Sequence, residues 1–321
     1  MSDFYREAYE LQAKFHLLDR ENHANDGEAL LRCWLDDSTS DNWRHNRMYQ
    51  FAKLFAADGG STWLTVGDGR FGLDSVALKK RGIKYVLPSD IAASGLMRAK
   101  EMGLIESYAS ENAEQMSFED GQFDYVMCKE AYHHFPRPFA ALYEMLRVAK
   151  KGIIIVEPND YWQSIVGKIV FRAKRLLGKA RHLDQGRYEE SGNYVYSVSE
   201  REIEKFCLGL DLPHVFIKGI NDVYIEGGEY VPARWTTPIF LRMRLTIMLL
   251  DLLCAVRLFK PTRLLICVFK SEPSDLLRRQ FREAGWKLVD LPRNPHRRAR
   301  RPTPLGIMAP ANNLERRIGH R

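Results

Sequence analysis

Trp63-Leu64-Thr65-Val66-Gly67-Asp68-Gly69-Arg70-Phe71-Gly72 is the stretch that decides how this chain folds. Leu64 and Val66 read as a short buried strand. Three glycines follow within six residues, and after Leu73 comes a helix-compatible run, Val76, Ala77 and Leu78, ended by Gly82. The pattern is a strand, a tight turn and a helix. Glycine serves at such a turn because the backbone reverses sharply and a ligand can come close with no Cβ in the way. A second strand, 83–87, leads to Asp90, about 20 residues past the first glycines, where an acidic side chain can accept from ribose hydroxyls.

Outward from that turn, short apolar strands alternate with helices from residue 62 to about 157. The spacing predicts a helix over 93–102, a strand near 105–109, a loop over 111–116, a strand over 123–128, a helix over 139–149 and a strand over 152–156. Such alternation means a parallel sheet covered on both faces. Upstream, 4–18 and 43–57 read as amphipathic helices, the second presenting Met48, Phe51, Leu54 and Phe55 and stopped by Asp58-Gly59-Gly60. They are expected to form a helical cap over 1–60 on the sheet edge, which can also serve as a lid over the cofactor or substrate.

Downstream the regularity loosens. A basic amphipathic helix over 163–182 sets Ile165, Val166, Ile169, Val170, Leu176 and Leu177 against Lys168, Arg172, Lys174, Arg175 and Lys179. A helix over 199–208 opens with a capping box, Ser199 before Glu202. Strands are expected over 214–220 and 264–269, with an insertion over 221–263 between them. The apolar run 239–259 inside it is interrupted by Arg242, Arg244, Asp251 and Arg257, so it reads as a buried or interfacial helix and not a membrane span. A last helix covers 275–284 and an extended piece 286–291. The expected organisation is a main domain over 61–273 with insertions at 158–198 and 221–263, a C-terminal helix and extended segment over 274–295, and a basic disordered tail over 296–321.

The chain has 321 residues, enough for a large core. Its formal charge of +7 is equal to the excess of arginine over acid between Arg293 and Arg321; the body balances. That tail reads as a solvated end or as an arm for an anionic partner. Cys33, Cys128, Cys207, Cys254 and Cys267 are scattered, with no metal-ligand spacing, so no metal is expected and a reducing cytoplasm fits. The N-terminus lacks the basic-then-apolar pattern of a signal peptide.

Gly67, Gly69 and Gly72 alone fit G-x-G-x-x-G, which keeps a nicotinamide-dependent oxidoreductase open. The downstream order shifts the reading. Asp90 is followed by Asn112-Ala113-Glu114-Gln115-Met116 and on to Val126, then by Ala131-Tyr132-His133-His134-Phe135, by 141–148 and by 152–156. In that order the chain resembles the class I S-adenosylmethionine-dependent methyltransferases, in the type 11 group that includes the ubiquinone/menaquinone C-methyltransferases. The resemblance covers about 63–159 and more loosely the strands up to Phe269. It implies a Rossmann-like α/β fold with a seven-stranded, mostly parallel sheet, helices on both faces, an N-terminal helical cap and helical insertions.

It implies S-adenosylmethionine as cofactor, held by Val66, Gly67, Asp68, Gly69 and Gly72 at the turn and by Asp90 and Ile91 at the ribose. Asn112, Ala113 and Glu114 border the adenine, and Cys128 and Lys129 end the fourth strand. Two positions depart from the family pattern. Thr65 stands where an acid usually helps hold the methionine end, and Phe71 where a third glycine usually stands, so Asp68 is expected to take part there. A carbon or oxygen acceptor has to be aligned and, for oxygen, deprotonated. His133 and His134 are the candidate bases, with Glu130 beside them, against the alternative that the histidines only pack on the cofactor or cap the helix. Glu157 and Asn159 face the same rim, and Tyr188, Tyr194 and Tyr196 are candidates for the acceptor pocket.

The implied activity is O- or C-methylation of a small-molecule, sugar or lipid-linked acceptor. The segments 163–182 and 239–259 leave open a peripheral contact at the inner membrane surface, against the alternative that they pack together as a lid. RNA methylation rests on the arginine tail alone, without a base-reading motif or RNA module, which argues against nucleic acid. A non-catalytic S-adenosylmethionine-binding protein is the remaining alternative.

Overall fold

Eight strands form a sheet in the order β3-β2-β1-β4-β5-β7-β6-β8. The computed structural model describes residues 9–11, 14, 31–56, 60–179, 187–188 and 194–296. β1 (Thr62–Val66), β2 (Tyr85–Asp90), β3 (Ala109–Ser110), β4 (Phe123–Lys129) and β5 (Ala149–Pro158) are parallel. β7 (Arg263–Phe269) runs antiparallel to β5, β6 (His214–Ile220) antiparallel to β7, and β8 (Lys287–Asp290) antiparallel to β6. The sheet is therefore mostly parallel, as expected, with one strand more than the expected seven. The extended piece near 286–291 pairs with β6, Val289 beside Val215, and gives the otherwise open edge of β6 a partner.

The third strand is shorter than expected and lies later. Ala109 and Ser110 pair with Ser89 and Asp90. Ile105, expected in that strand, instead fills a small core with Leu96 and Ala99 of α4 (Ser94–Glu101). The helix expected over 43–57 is broken into α1 (Ser40–Asn46), a 3-10 turn at Arg47–Tyr49 and α2 (Ala52–Phe55). Met48, Tyr49, Phe51, Ala52 and Phe55 all turn onto the sheet, more closely spaced apolar residues than one straight helical stripe can bury. Most of 4–18, together with Asp58, Gly59 and the tail beyond residue 296, lies outside the described residues.

Helices cover both faces of the sheet. On one face α5 (Pro138–Val148) and α7 (Glu200–Leu210) bury Leu142, Met145, Ile203 and Phe206 against Val126, Ile153 and Ile155. On the other, α2, α3 (Leu73–Lys79) and α9 (Asp275–Glu283) pack Phe55, Leu78 and Phe281 on Trp63, Tyr125 and Phe216. Trp63 is central, with ring centroids 5.2 Å from Phe55 and 4.9 Å from Tyr125. Truncating a buried aromatic of this kind costs about 3–5 kcal/mol. The expected capping box is present at the start of α7, with Ser199 and Glu202 bonded both ways.

The insertions form α6 (Ile165–Leu176) and α8 (Pro238–Ala255). They do not pack side by side as a lid. They meet at one end, where the Val166 N–H donates to the Leu258 carbonyl at 3.1 Å.

Candidate active site

The glycine turn follows β1, whose last residue Val66 sits between Ser89 and Cys128. Gly67 has φ +76°, and a Cβ there would lie 2.3 Å from the Ala131 Cβ. Turn and β4 loop therefore touch backbone to side chain. Phe71 and Gly72 are both left-handed, with φ 55° and 64°. Phe71 thus keeps the backbone shape that a glycine adopts freely, at a cost on the order of 1–3 kcal/mol. Its ring packs on the Leu96, Ala99 and Ile105 core, which offsets part of that strain.

Asp68 acts inside the turn. Gly72 begins α3 without a side-chain cap, and Asp68 supplies it: Oδ1 accepts from the Asp74 N–H at 3.0 Å and Oδ2 from the Ser75 N–H at 2.9 Å. Thr65 donates its hydroxyl to the same Oδ2 at 2.8 Å. Thr65, where the family pattern has an acid, is here the buried donor to the acid three residues on. Burial, reinforced by Asp74, pushes the Asp68 carboxyl well above the usual range. Asp68 thus caps α3, and it also lines the cavity at this turn.

Asp90 ends β2. Its Oδ2 accepts from the Gly69 N–H at 2.8 Å and Oδ1 from the Ala92 N–H at 2.7 Å. Each carboxylate oxygen retains a further lone pair. The loop after β3 is shaped by Asn112, whose Oδ1 takes the Glu114 N–H at 2.9 Å. The Glu114 side chain turns away to Arg137, accepting from its N–H at 2.7 Å and its Nε at 2.6 Å, and from the Tyr9 hydroxyl at 2.6 Å.

The turn after β4 is organised by Glu157, which is fully buried at the end of β5. Oε1 accepts from the Ala131 N–H at 2.9 Å and the Tyr132 N–H at 3.0 Å. Oε2 lies 2.6 Å from Nδ1 of His133. That contact assigns the imidazole proton to Nδ1 and leaves Nε2 as a lone pair. Burial disfavours the charged ring, but Glu157 outweighs it, and His133 titrates above the ordinary histidine range. The His134 ring lies 4.0 Å from that of His133. Glu130, left-handed at φ 54°, is ion-paired with Arg263 at 2.8 Å. Burial opposes its ionisation, yet Arg263 and His133 hold its carboxyl below the usual range.

A second charged group comes from the N-terminal cap. Arg44 of α1 bonds Asp41 through Nε at 3.0 Å and Asp222 at 2.6 Å. Arg263 reaches Asp222 at 3.6 Å, which joins the pair to Glu130. His45 Nε2 lies 2.9 Å from Arg44, and burial with Lys129 and Arg44 nearby holds His45 neutral, well below the usual histidine range. Lys129 pairs with Asp74 at 3.1 Å.

These groups surround one cavity of about 1230 Å³. Gly67, Asp68, Gly69, Asp90 and Ile91 line it at one end, beside Asn112, Ala113 and Glu114. Lys129, Glu130, His133 and His134, after β4, line another part of it, together with Arg44, His45 and Tyr224. Of the residues expected at the cofactor, Val66, Gly72 and Cys128 do not line it. Gly72 instead lets α3 approach Ile105, whose Cγ2 a Cβ would meet at 3.0 Å. Cys128 is buried in the core behind the site, its thiol pushed well up by burial and then by Glu157. Tyr188, Tyr194 and Tyr196 are likewise absent from the lining; they contact one another, with centroids 5.4 and 5.2 Å apart. Asn159 bonds the Pro261 carbonyl at 2.6 Å, a loop contact. Sequence reasoning did not find Arg44, His45, Asp222 or Arg263.

Sheet order, glycine turn and the acid after β2 fit the class I S-adenosylmethionine-dependent methyltransferase fold. Residues 64–156 match the family model described as a methyltransferase domain. Over 112 residues the chain is 34% identical to 2-methyl-6-phytyl-1,4-hydroquinone methyltransferase of Synechocystis sp., covering 34% of this chain and 35% of that protein. It is 30% identical over 128 residues to an uncharacterized methyltransferase of Mycobacterium sp. (strain KMS), 40% of this chain and 50% of the other. The chain thus spans between about a third and a half of the length of the curated relatives it matches. Among solved structures it is similar to magnesium protoporphyrin IX methyltransferase from Synechocystis with bound SAH, at 17% identity and TM-score 0.45, covering 79% of this chain and 99% of that one. A SAM-dependent methyltransferase from Archaeoglobus fulgidus is similar at 18% identity and TM-score 0.44, covering 71% and 94%.

The cofactor of this class is S-adenosylmethionine, and the residues present fit it. The turn at Gly67 has no room for a Cβ, and the Asp90 carboxylate lines the same cavity, partly buried and fixed by two backbone amides.

Proposed function

We propose that the protein transfers a methyl group from S-adenosylmethionine to oxygen or carbon of a small-molecule, sugar or lipid-linked acceptor, with His133 as the base. The observation that carries this reading is the His133–Glu157 pair opening onto the same cavity as the glycine turn and Asp90.

When bound, S-adenosylmethionine supplies a sulfonium-activated methyl group. Asp90 would hold the ribose hydroxyls with the lone pairs its amide contacts leave. Asn112 takes up the Glu114 amide, which leaves the amide of Ala113 to meet the adenine. Glu157 fixes the His133 ring through Nδ1–H and stabilises the charge that forms as Nε2 accepts the acceptor's proton. Glu130 is a weaker candidate for that proton, because Arg263 already stabilises its ionised form. Its role is that of a counter-ion in the wall of the acceptor end. His45, held neutral beside Arg44, lines that same part of the cavity. The similarity to a phytyl-hydroquinone methyltransferase supports the lipid-linked form of the acceptor.

Calorimetry with S-adenosylmethionine and with NAD, followed by an acceptor screen with labelled cofactor, tests the proposal. S-adenosylmethionine should bind and NAD should not. Binding of NAD alone would sink the reading in favour of an oxidoreductase. Cofactor binding with no turnover on any acceptor would leave a binding protein.

A further inference from the structure

α6 and α8 expose apolar side chains on a scale that the rest of the fold does not. On α8, Phe240, Met243 and Ile247 face inward. Leu241, Leu245, Met248, Leu249 and Leu252, with Val256 just past the helix end, recur along the opposite side, from 38% exposed at Leu241 to 61% at Leu252. α8 therefore has two apolar sides, one packed on the domain and one uncovered, and an uncovered apolar stripe of this size marks a contact surface. Among the described residues no helix is long and apolar enough to cross a membrane, so the cover must come from the side.

α6 is the more extreme case. Gly167 is its one buried residue, while Ile165 is 54%, Ile169 59% and Leu176 89% exposed. A helix of that length is marginal in water without a packed face. It meets the turn after α8 through the Val166–Leu258 bond, so the two helices adjoin at one end. At the junction Tyr161 lies 5.3 Å from Trp162 and 5.4 Å from Phe259, centroid to centroid.

Charge identifies the occupant. From Ser164 to Lys179 there are five cations, Lys168, Arg172, Lys174, Arg175 and Lys179, and no acid. α8 and the turn after it add Arg242, Arg257 and Lys260, and the one acid of α8, Asp251, accepts from the Asn221 amide at 2.7 Å. The core of a protein–protein interface is depleted in lysine, whereas lysine and arginine beside leucine and isoleucine, with aromatics at the junction, suit a helix lying in an anionic bilayer interface. The structure assigns this face to peripheral docking on an anionic membrane surface. α8 packs Phe240 on Trp43 of α1 at 5.1 Å, and α1 supplies Arg44 and His45 to the cavity. The docking face is therefore one helix away from the acceptor end.

The inference stands apart from the catalytic reading and is tested apart from it. The full chain is sedimented with vesicles of equal parts phosphatidylglycerol and phosphatidylcholine, and with phosphatidylcholine alone. The expected result is pelleting with the anionic vesicles, weakening steeply toward about 1 M salt, where the Debye length is about 3 Å. Replacing Lys168, Arg172 and Arg175 by Gln should weaken binding about five-fold per cation. Leu245→Gln, Leu249→Gln and Leu252→Gln together should abolish pelleting while S-adenosylmethionine affinity, read by calorimetry, stays unchanged and reports an intact fold. A full chain that stays in the supernatant at low salt overturns the inference, as does a leucine variant that pellets like the parent. An oligomer that the leucine variant dissociates, without vesicle binding by the parent, would give the face to a second copy and also overturn it.

Discussion

Gly67 and Ala131 approach so closely that a Cβ on the glycine would sit 2.3 Å from the alanine Cβ, and this contact joins the turn after β1 to the turn after β4. Gly67→Ala therefore meets both a left-handed φ and a collision. The loss of stability should exceed about 1 kcal/mol by urea denaturation. Adding Ala131→Gly should recover part of the loss, because it clears the collision and leaves the φ penalty. No recovery in the double variant would mean that φ alone forbids the side chain.

Thr65→Val removes the hydroxyl that bonds Asp68 and keeps the shape of the side chain. The buried carboxylate then lacks one donor, with an expected cost of about 1–3 kcal/mol in stability. Since Asp68 caps α3, the variant should also speed amide exchange in the first turn of that helix. Unaltered stability would mean that the turn holds without the Thr65 contact.

Glu157→Gln bears on the base. With Glu157 present, His133 has its folded-state value above the ordinary histidine range, so the bond between them adds stability below that range and loses it as pH rises through the raised value. Activity runs the opposite way: His133 must be neutral to accept a proton, so kcat/KM should climb with pH through a midpoint above about 6.5. In Glu157→Gln burial is left to dominate, and the midpoint should fall below that of the parent. His133→Ala should lower kcat on the order of 100- to 10,000-fold while cofactor affinity holds. A profile that keeps its midpoint in Glu157→Gln would assign the titrating group elsewhere.

Asp90→Ala should weaken S-adenosylmethionine binding by about 1.5–3 kcal/mol in calorimetry, the scale of a lost charge-assisted hydrogen bond. The same change removes the acceptor that fixes the Gly69 amide, so a modest loss of thermal stability should accompany it. An unchanged affinity would remove Asp90 from the cofactor end.

The parts of the fold that were legible in the sequence were those written locally. The strand–glycine–helix turn, Asp90 and the Ser199–Glu202 capping box each declare themselves within a few residues. Strand period explains one miss. Cys128 and Lys129 are neighbours at the end of β4, yet they point to opposite faces, so Cys128 enters the core while Lys129 reaches Asp74. The wall of the acceptor end was illegible for a different reason. Arg44 and Asp222 are 178 residues apart, and their pairing leaves no periodic trace in either segment. Glu157 was noticed as a rim residue, but its grip on His133 needed the register of β4 against β5 to place Lys129 beside Val156. Phe71 showed as a departure from a glycine pattern; only the backbone revealed that the left-handed turn survives it.

β8 also has a consequence for how copies of this chain meet one another. β6 carries the apolar run Val215, Phe216 and Ile217, and without β8 its outer hydrogen-bonding groups would form an open template for another strand. β8 is a short cover with charged ends, Lys287 bonded to Glu200 at 2.7 Å and Asp290 exposed. A chain ending before Lys287 would keep the glycine turn, Asp90 and His133, yet present a sticky sheet edge, so its failure would take the form of concentration-dependent aggregation.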